Sequence, residues 1–222
     1  MDKSAFYKLS YGLFLITTRQ DTRNVGCIAN TLIQVTSHPP RVSVALNKEN
    51  YTTRIIERTG AFSATVLDET VDMNLIAAFG FQSSETTDKF ANFTPKWDRQ
   101  NLPYISDGAA AQLSCRVIGS LDAGSHWIFL ADIIDAQCLS DQPPMTYAYY
   151  REVKKGTTPP RASSYQPPEP VDAPTSAPAT GQSSAYQCEV CGYIEREKIP
   201  LPDGYRCPIC GAPAARFRPF AG

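Results

Sequence analysis

Short runs in which apolar and polar residues alternate recur through the first 150 positions. YGLFLITT starts at 11, VGCIANTLIQVTS at 25, RVSVALN at 41, AFSATVL at 61, AAAQLSCRVIGSL at 109 and HWIFLADIIDAQC at 126. They are rich in β-branched and aromatic residues, which predicts strands with one face buried. Between them YTTRIIERTG sets Ile55 and Ile56 among charges and ends at Gly60, the pattern of a short capped amphipathic helix. VDMNLIAAFGF predicts a second helix. Many strands and few helices favour a mainly β fold, an antiparallel barrel, over a βαβ dinucleotide fold. Neither G-x-G-x-x-G nor G-x-x-x-x-G-K-[ST] occurs.

The pattern stops near position 152. Residues 157–184 hold seven prolines among Ser, Thr and Ala, with almost no large aliphatic side chains. Such a segment cannot bury enough apolar surface to offset chain entropy, so 153–184 is expected to be a flexible linker. The chain thus divides into a body (1–152), a linker (153–184) and a C-terminal unit (185–222). Twenty-one basic against twenty-two acidic residues give a net charge of −1, which supplies no bulk attraction to nucleic acid or to an anionic membrane. The first residues lack a secretory pattern and no run approaches a membrane span, so a cytoplasmic location is expected. On the same ground NYT at 50 and NFT at 92 carry no weight as glycosylation signals. His38, in S-H-P-P, reads as a turn residue.

Seven cysteines complete the picture. Cys27, Cys115 and Cys138 lie apart in strand-like runs and are expected to be buried packing residues. The other four form two C-x-x-C pairs, Cys188 with Cys191 and Cys207 with Cys210, in a unit of 38 residues too small to fold unaided. Each pair can close on one ion from a tight turn, with Gly192 and Gly211 suited to the unusual backbone angles. Four thiolates around one ion form a tetrahedral sulfur site, which fits zinc or iron.

The order Y-x-C-x-x-C-G-Y, then LPDGYRCPICGAP, then Phe217 resembles the rubredoxin family. That resemblance implies one iron per chain held by Cys188, Cys191, Cys207 and Cys210, with Tyr186 and Tyr193 as aromatic neighbours. The 15-residue interval between the pairs matches the abbreviated rubredoxin domains of fusion proteins, and a zinc ribbon is the competing reading.

The body's run of YGLFLITT, VGCIANTLIQVTSHPPRVSVALNKENYTTRIIERTGAFSATVL, DKF and GSHWIFLADIIDA resembles the flavin-reductase-like family of FMN-binding split β-barrels over roughly residues 4–150. NKENYTTR lies between a strand and a helix, where backbone N–H groups and the helix dipole favour an anion. Asn47, Lys48, Asn50, Thr52, Thr53 and Arg54 are therefore candidates for the flavin phosphate. By resemblance, Ala29, Asn30 and Thr31 meet the flavin ring edge, Lys89 and Phe90 line its pocket, and His126 stands near the flavin and the nicotinamide. The resemblance also implies a homodimer with flavin at its interface.

Together these readings imply an NAD(P)H-dependent oxidoreductase, with NADH as donor, that passes single electrons through the iron to an acceptor such as a flavodiiron protein reducing nitric oxide or dioxygen. The competing functions are a reductase that supplies reduced flavin to a monooxygenase and a non-enzymatic zinc-ribbon interaction module.

Overall fold

The computed structural model describes residues 2–159, 162–165, 185–188, 193–208 and 212–220. In chain order the body contains β1 (Phe14–Gln20), β2 (Arg23–Ala29), β3 (Ile33–Ser37), β4 (Pro40–Asn47), α1 (Tyr51–Thr59), β5 (Ala61–Leu67), α2 (Met73–Phe81), the short pair β6 (Lys96–Trp97) and β7 (Pro103–Tyr104), β8 (Ala109–Asp122), β9 (His126–Cys138) and α3 (Tyr147–Glu152). Seven strands form one antiparallel sheet in the order β2-β1-β5-β8-β9-β4-β3.

Alternation decides which residues go where. Phe14 and Ile16 of β1 join Cys27, Val42, Val44, Leu46, Phe62 and Phe129 in an inner cluster, which Ile56 of α1 plugs. Leu13 and Leu15 point the other way, into a second cluster that α2 and α3 cover with Leu75, Ile76, Phe79 and Tyr150. Each large side chain so enclosed contributes about 1.5–3 kcal/mol of apolar burial. Because the inner cluster takes residues from both β2 and β4, the sheet curls until these two strands approach, although no ladder joins them. The barrel is closed by packing on one side and split there in its hydrogen bonding.

Local chemistry sets the helix ends. Asn50 caps α1 by accepting from the Thr52 amide at 3.0 Å, and Gly60 closes it in the left-handed region at φ 67°. A cap like Asn50 is worth about 1 kcal/mol. Asp72 caps α2 in the same way, and the chain leaves α2 in extended geometry at Gln82.

Two expectations change. The run at 25–37 is two strands, because Asn30, Thr31 and Leu32 leave the ladder and Thr31 Oγ1 donates to the carbonyl of Ala45 on β4 at 2.9 Å. Cys27 and Cys115 are buried, but Cys138 is exposed at the end of β9, where the strand outruns the core. None of the helices among the described residues is long and apolar enough to cross a membrane.

The C-terminal unit has a three-stranded sheet in the order β11-β10-β12, with β10 at Tyr186–Cys188, β11 at Ile194–Glu195 and β12 at Phe217–Pro219. Among the described residues its core cluster is Cys188, Tyr205, Cys207, Ala212 and Phe217. Two of these are cysteines, so a thiol-bound metal would add much to what holds the unit together.

Candidate functional site

A cleft of about 340 Å³ opens at the split between the ends of β2 and β4. That volume lies within the roughly 300–1,000 Å³ range of small-molecule sites. Ala29 and Asn30 border it on one side, Asn47 and Asn50 on the other, and His126 at the rim. His126 pairs with Asn47 across the β4–β9 ladder, and its Nδ1 lies 2.8 Å from the Ser125 hydroxyl, which orients the ring.

The other candidates stand behind this wall. Thr52 and Thr53 are fully buried in the first turn of α1, and neither hydroxyl has a hydrogen-bond partner among the described residues. Lys48 turns outward to pair with Asp122 and to cover the Trp127 ring at 4.6 Å. Arg54 pairs with Glu85 at 2.9 Å.

Lys89 and Phe90, expected in the pocket lining, sit beneath it. Lys89 is buried, and its Nζ donates to the carbonyls of Gly26 at 2.9 Å and Phe79 at 3.0 Å. Burial holds its pKa down to about 8, against a smaller opposing pull from Cys27. Phe90 stacks edge-on against Phe79, 5.0 Å between ring centres. Both residues therefore act as struts. They fasten the segment after α2 to the edge strand β2, with Ser84 Oγ bonded to both the N–H and the C=O of Gly26 and Arg23 donating to the Glu85 carbonyl. The fastened segment brings Gly80, Phe81, Gln82 and Ser83 to the cleft. These lining residues carry no motif. The available signal was an aromatic placed at the very end of an apolar helix.

A further wall comes from the expected linker. Gly156 donates to the Tyr150 carbonyl, the Tyr150 hydroxyl donates to Thr157 O at 3.0 Å, and Tyr147 bonds Thr158. Ser163 Oγ donates to Asn30 Oδ1 at 3.0 Å while Asn30 Nδ2 donates to Ser164 Oγ at 2.6 Å. Thr157, Pro159 and Ser163 thus face the cleft. Residues 166–184 of the linker lie outside the described residues.

In the C-terminal unit, Cys188 N–H donates to Tyr193 O at 2.7 Å and Cys207 N–H to Ala212 O at 2.8 Å. Each cysteine thus bonds the carbonyl of the residue five positions on, so Cys188 and Cys207 have matching backbone partners. Both side chains are nearly inaccessible and share one core cluster, with Tyr186 and Tyr193 packed against it. Cys191, Cys210, Gly192 and Gly211 lie outside the described residues. Two buried thiols held in equivalent loops fit a sulfur-ligated metal.

Beside them Glu195 is 4% exposed. Its carboxylate accepts from the Tyr205 hydroxyl at 2.5 Å and from the Glu197 and Lys198 amides at 2.9 and 3.2 Å. The Tyr205 bond leads in holding its pKa at about 2, and burial pushes the Tyr205 hydroxyl well up. The carboxylate's contribution is therefore complete above its ordinary 4.5 and is lost as pH falls through about 2. Glu195→Leu removes the acceptor of four donors, the Tyr193 hydroxyl at 3.4 Å included, and is expected to cost the unit about 2–4 kcal/mol. Thermal loss of metal–thiolate colour at pH 7 measures it, and an unchanged midpoint contradicts this role.

Comparison with known proteins agrees with this geometry. Residues 6–158 match the flavin reductase like domain, and residues 186–218 match the rubrerythrin, rubredoxin-like domain. The chain is 38% identical to high molecular weight rubredoxin of Moorella thermoacetica, across 96% of both chains. It is 39% identical to ferric-chelate reductase (NAD(P)H) of Archaeoglobus fulgidus, across 74% of this chain and 98% of that one. Nitrilotriacetate monooxygenase component B from Mycobacterium thermoresistibile shares the fold, with a TM-score of 0.59 at 23% identity over 65% of this chain and 79% of that one. The chain belongs to the flavin reductase like family and carries a C-terminal rubredoxin-like domain, the same pairing as in high molecular weight rubredoxin.

Proposed function

We propose that the protein oxidises NAD(P)H, with NADH as the donor, at FMN held in the cleft and delivers electrons one at a time through an iron bound by Cys188, Cys191, Cys207 and Cys210. One observation carries this reading: a single chain holds both a family flavin cleft and a paired-cysteine site. A flavin accepts the two electrons of a hydride and releases them singly, which couples a nicotinamide to a one-electron metal. The overall exchange is NADH + 2 Fe³⁺ → NAD⁺ + 2 Fe²⁺ + H⁺.

The chain's own residues suit these tasks. The start of α1 offers the FMN phosphate free backbone N–H groups, the Asn50 amide and the orphaned Thr52 and Thr53 hydroxyls, while Lys48 and Arg54 add positive field from behind. Ala29, Asn30 and Thr31 shape the ring edge. His126, oriented by Ser125, places an imidazole at the rim that can hydrogen-bond flavin or nicotinamide. The Asn30–Ser163–Ser164 contacts close the cleft, which favours a retained flavin over one released to a monooxygenase.

The outer face of the sheet supports a homodimer. Ile33 and Leu121 are 59% and 64% exposed there, on the same face as Ala45, which borders the cleft. The acceptor in this reading is a flavodiiron protein.

Metal and flavin analysis of the purified protein tests the proposal. One iron per chain and FMN that survives gel filtration are expected. Zinc in place of iron, or colourless protein, contradicts it. Replacing both Thr52 and Thr53 with valine is expected to weaken FMN binding about tenfold or more, at ~1.4 kcal/mol for the lost hydrogen bonds. Equal affinity in apoprotein titrations refutes the phosphate placement.

A further inference from the structure

Phe81 belongs to both halves of the molecule. It lines the cleft at the split of the barrel, and it packs against the core cluster of the C-terminal unit that contains Cys188 and Cys207. It is the last residue of α2, where the chain turns extended at Gln82. Its mount is firm, because Lys89 holds the Phe79 carbonyl two residues before it and Ser84 holds Gly26 three residues after it. Phe81 stands half-buried at this mount, with the C-terminal unit's cluster packed on it.

We infer that Phe81 is the positioning residue at which the iron-binding unit docks beside the flavin cleft, so that electrons pass from flavin to iron across this one contact. The inference rests on the reading of the cleft and the cysteines as flavin and iron sites. Per hydride, two ferric ions take one electron each at this junction and one proton is released. A single aromatic contact, with the linker keeping the unit close by, makes docking frequent but reversible, and the same thiolate face is then free to meet an outside acceptor.

Two measurements on the full-length holoprotein test this. Anaerobic stopped-flow reduction by NADH follows the flavin and iron–thiolate bands in the same trace. In Phe81→Asp the iron band is expected to lag the flavin band by about tenfold more than in the unaltered protein, because a charge replaces the apolar contact, while Phe81→Leu restores most of the coupling. An unchanged lag in Phe81→Asp overturns the inference. Failure of the unaltered protein to reduce its iron overturns the underlying reading instead. Should Phe81→Asp lose flavin, a photo-crosslinking benzoylphenylalanine at position 81 decides the matter. Crosslinks to peptides within 185–220 support docking, and crosslinks confined to the body refute it.

Discussion

Replacing Cys207 with serine is expected to strip iron from the C-terminal unit and unfold it while the body keeps its fold. Cys207 is nearly inaccessible, its amide donates to the Ala212 carbonyl, and it belongs to that unit's core cluster. Serine offers a hard oxygen where the site needs a soft thiolate. With so small a core, metal binding and folding are one event, and structural metal sites of this kind carry on the order of 10 kcal/mol. The visible iron–thiolate absorption should vanish, and circular dichroism should still show the β-rich body unfolding cooperatively. A Cys207→Ser protein that retains one iron with unaltered absorption contradicts the ligand assignment.

The second large effect concerns Lys89. Lys89→Met removes the donor that serves the Gly26 and Phe79 carbonyls, both of which lie in the interior. The Phe79 carbonyl loses this donor at a cost of about 1–3 kcal/mol, while the Gly26 carbonyl keeps the Ser84 hydroxyl, and the loss is partly offset because no ammonium is then buried. The body is expected to lose about 1–3 kcal/mol by urea titration, and FMN to bind more weakly as residues 80–83 lose part of their anchor to β2. A pH signature separates this from simple repacking. Burial lowers the folded-state pKa of Lys89 from 10.5 to about 8, so the unfolded chain binds more protons between those values. Stability of the unaltered body should therefore rise, relative to Lys89→Met, as pH increases from 8 to 10.5. Identical stabilities and FMN affinities in the two proteins would show that Lys89 is no strut.

These two residues also mark how far the sequence could be read. Cys188 and Cys207 were legible as members of one small cluster because the C-x-x-C pattern is local. The strands were legible for the same reason, since alternation in RVSVALN is a property of the run itself. Lys89 was noticed through its motif but assigned to the pocket lining. Its actual position depends on Gly26, more than sixty residues earlier, presenting a free edge-strand carbonyl. The Ser163 contact that walls the cleft was invisible for a related reason: it joins a proline-rich segment to Asn30 across more than 130 residues, and no periodicity encodes such a meeting. Likewise α3 escaped notice, because YAYYRE has only six residues and is held by its Thr146 cap and the packing of Tyr150 against α2. Cys138 was expected to be buried because it ends a strand-like run, whereas β9 extends past the layer that covers it.

An anaerobic titration of the holoprotein with NADH, followed at the flavin and iron–thiolate bands together, bears most directly on the two-to-one electron transfer. Two electrons for the flavin and one for the iron require about 1.5 equivalents of NADH per chain for complete bleaching of both bands. Bleaching of both at that stoichiometry is the predicted result. Bleaching of the flavin alone at one equivalent, with the iron band untouched however long the mixture stands, would contradict it.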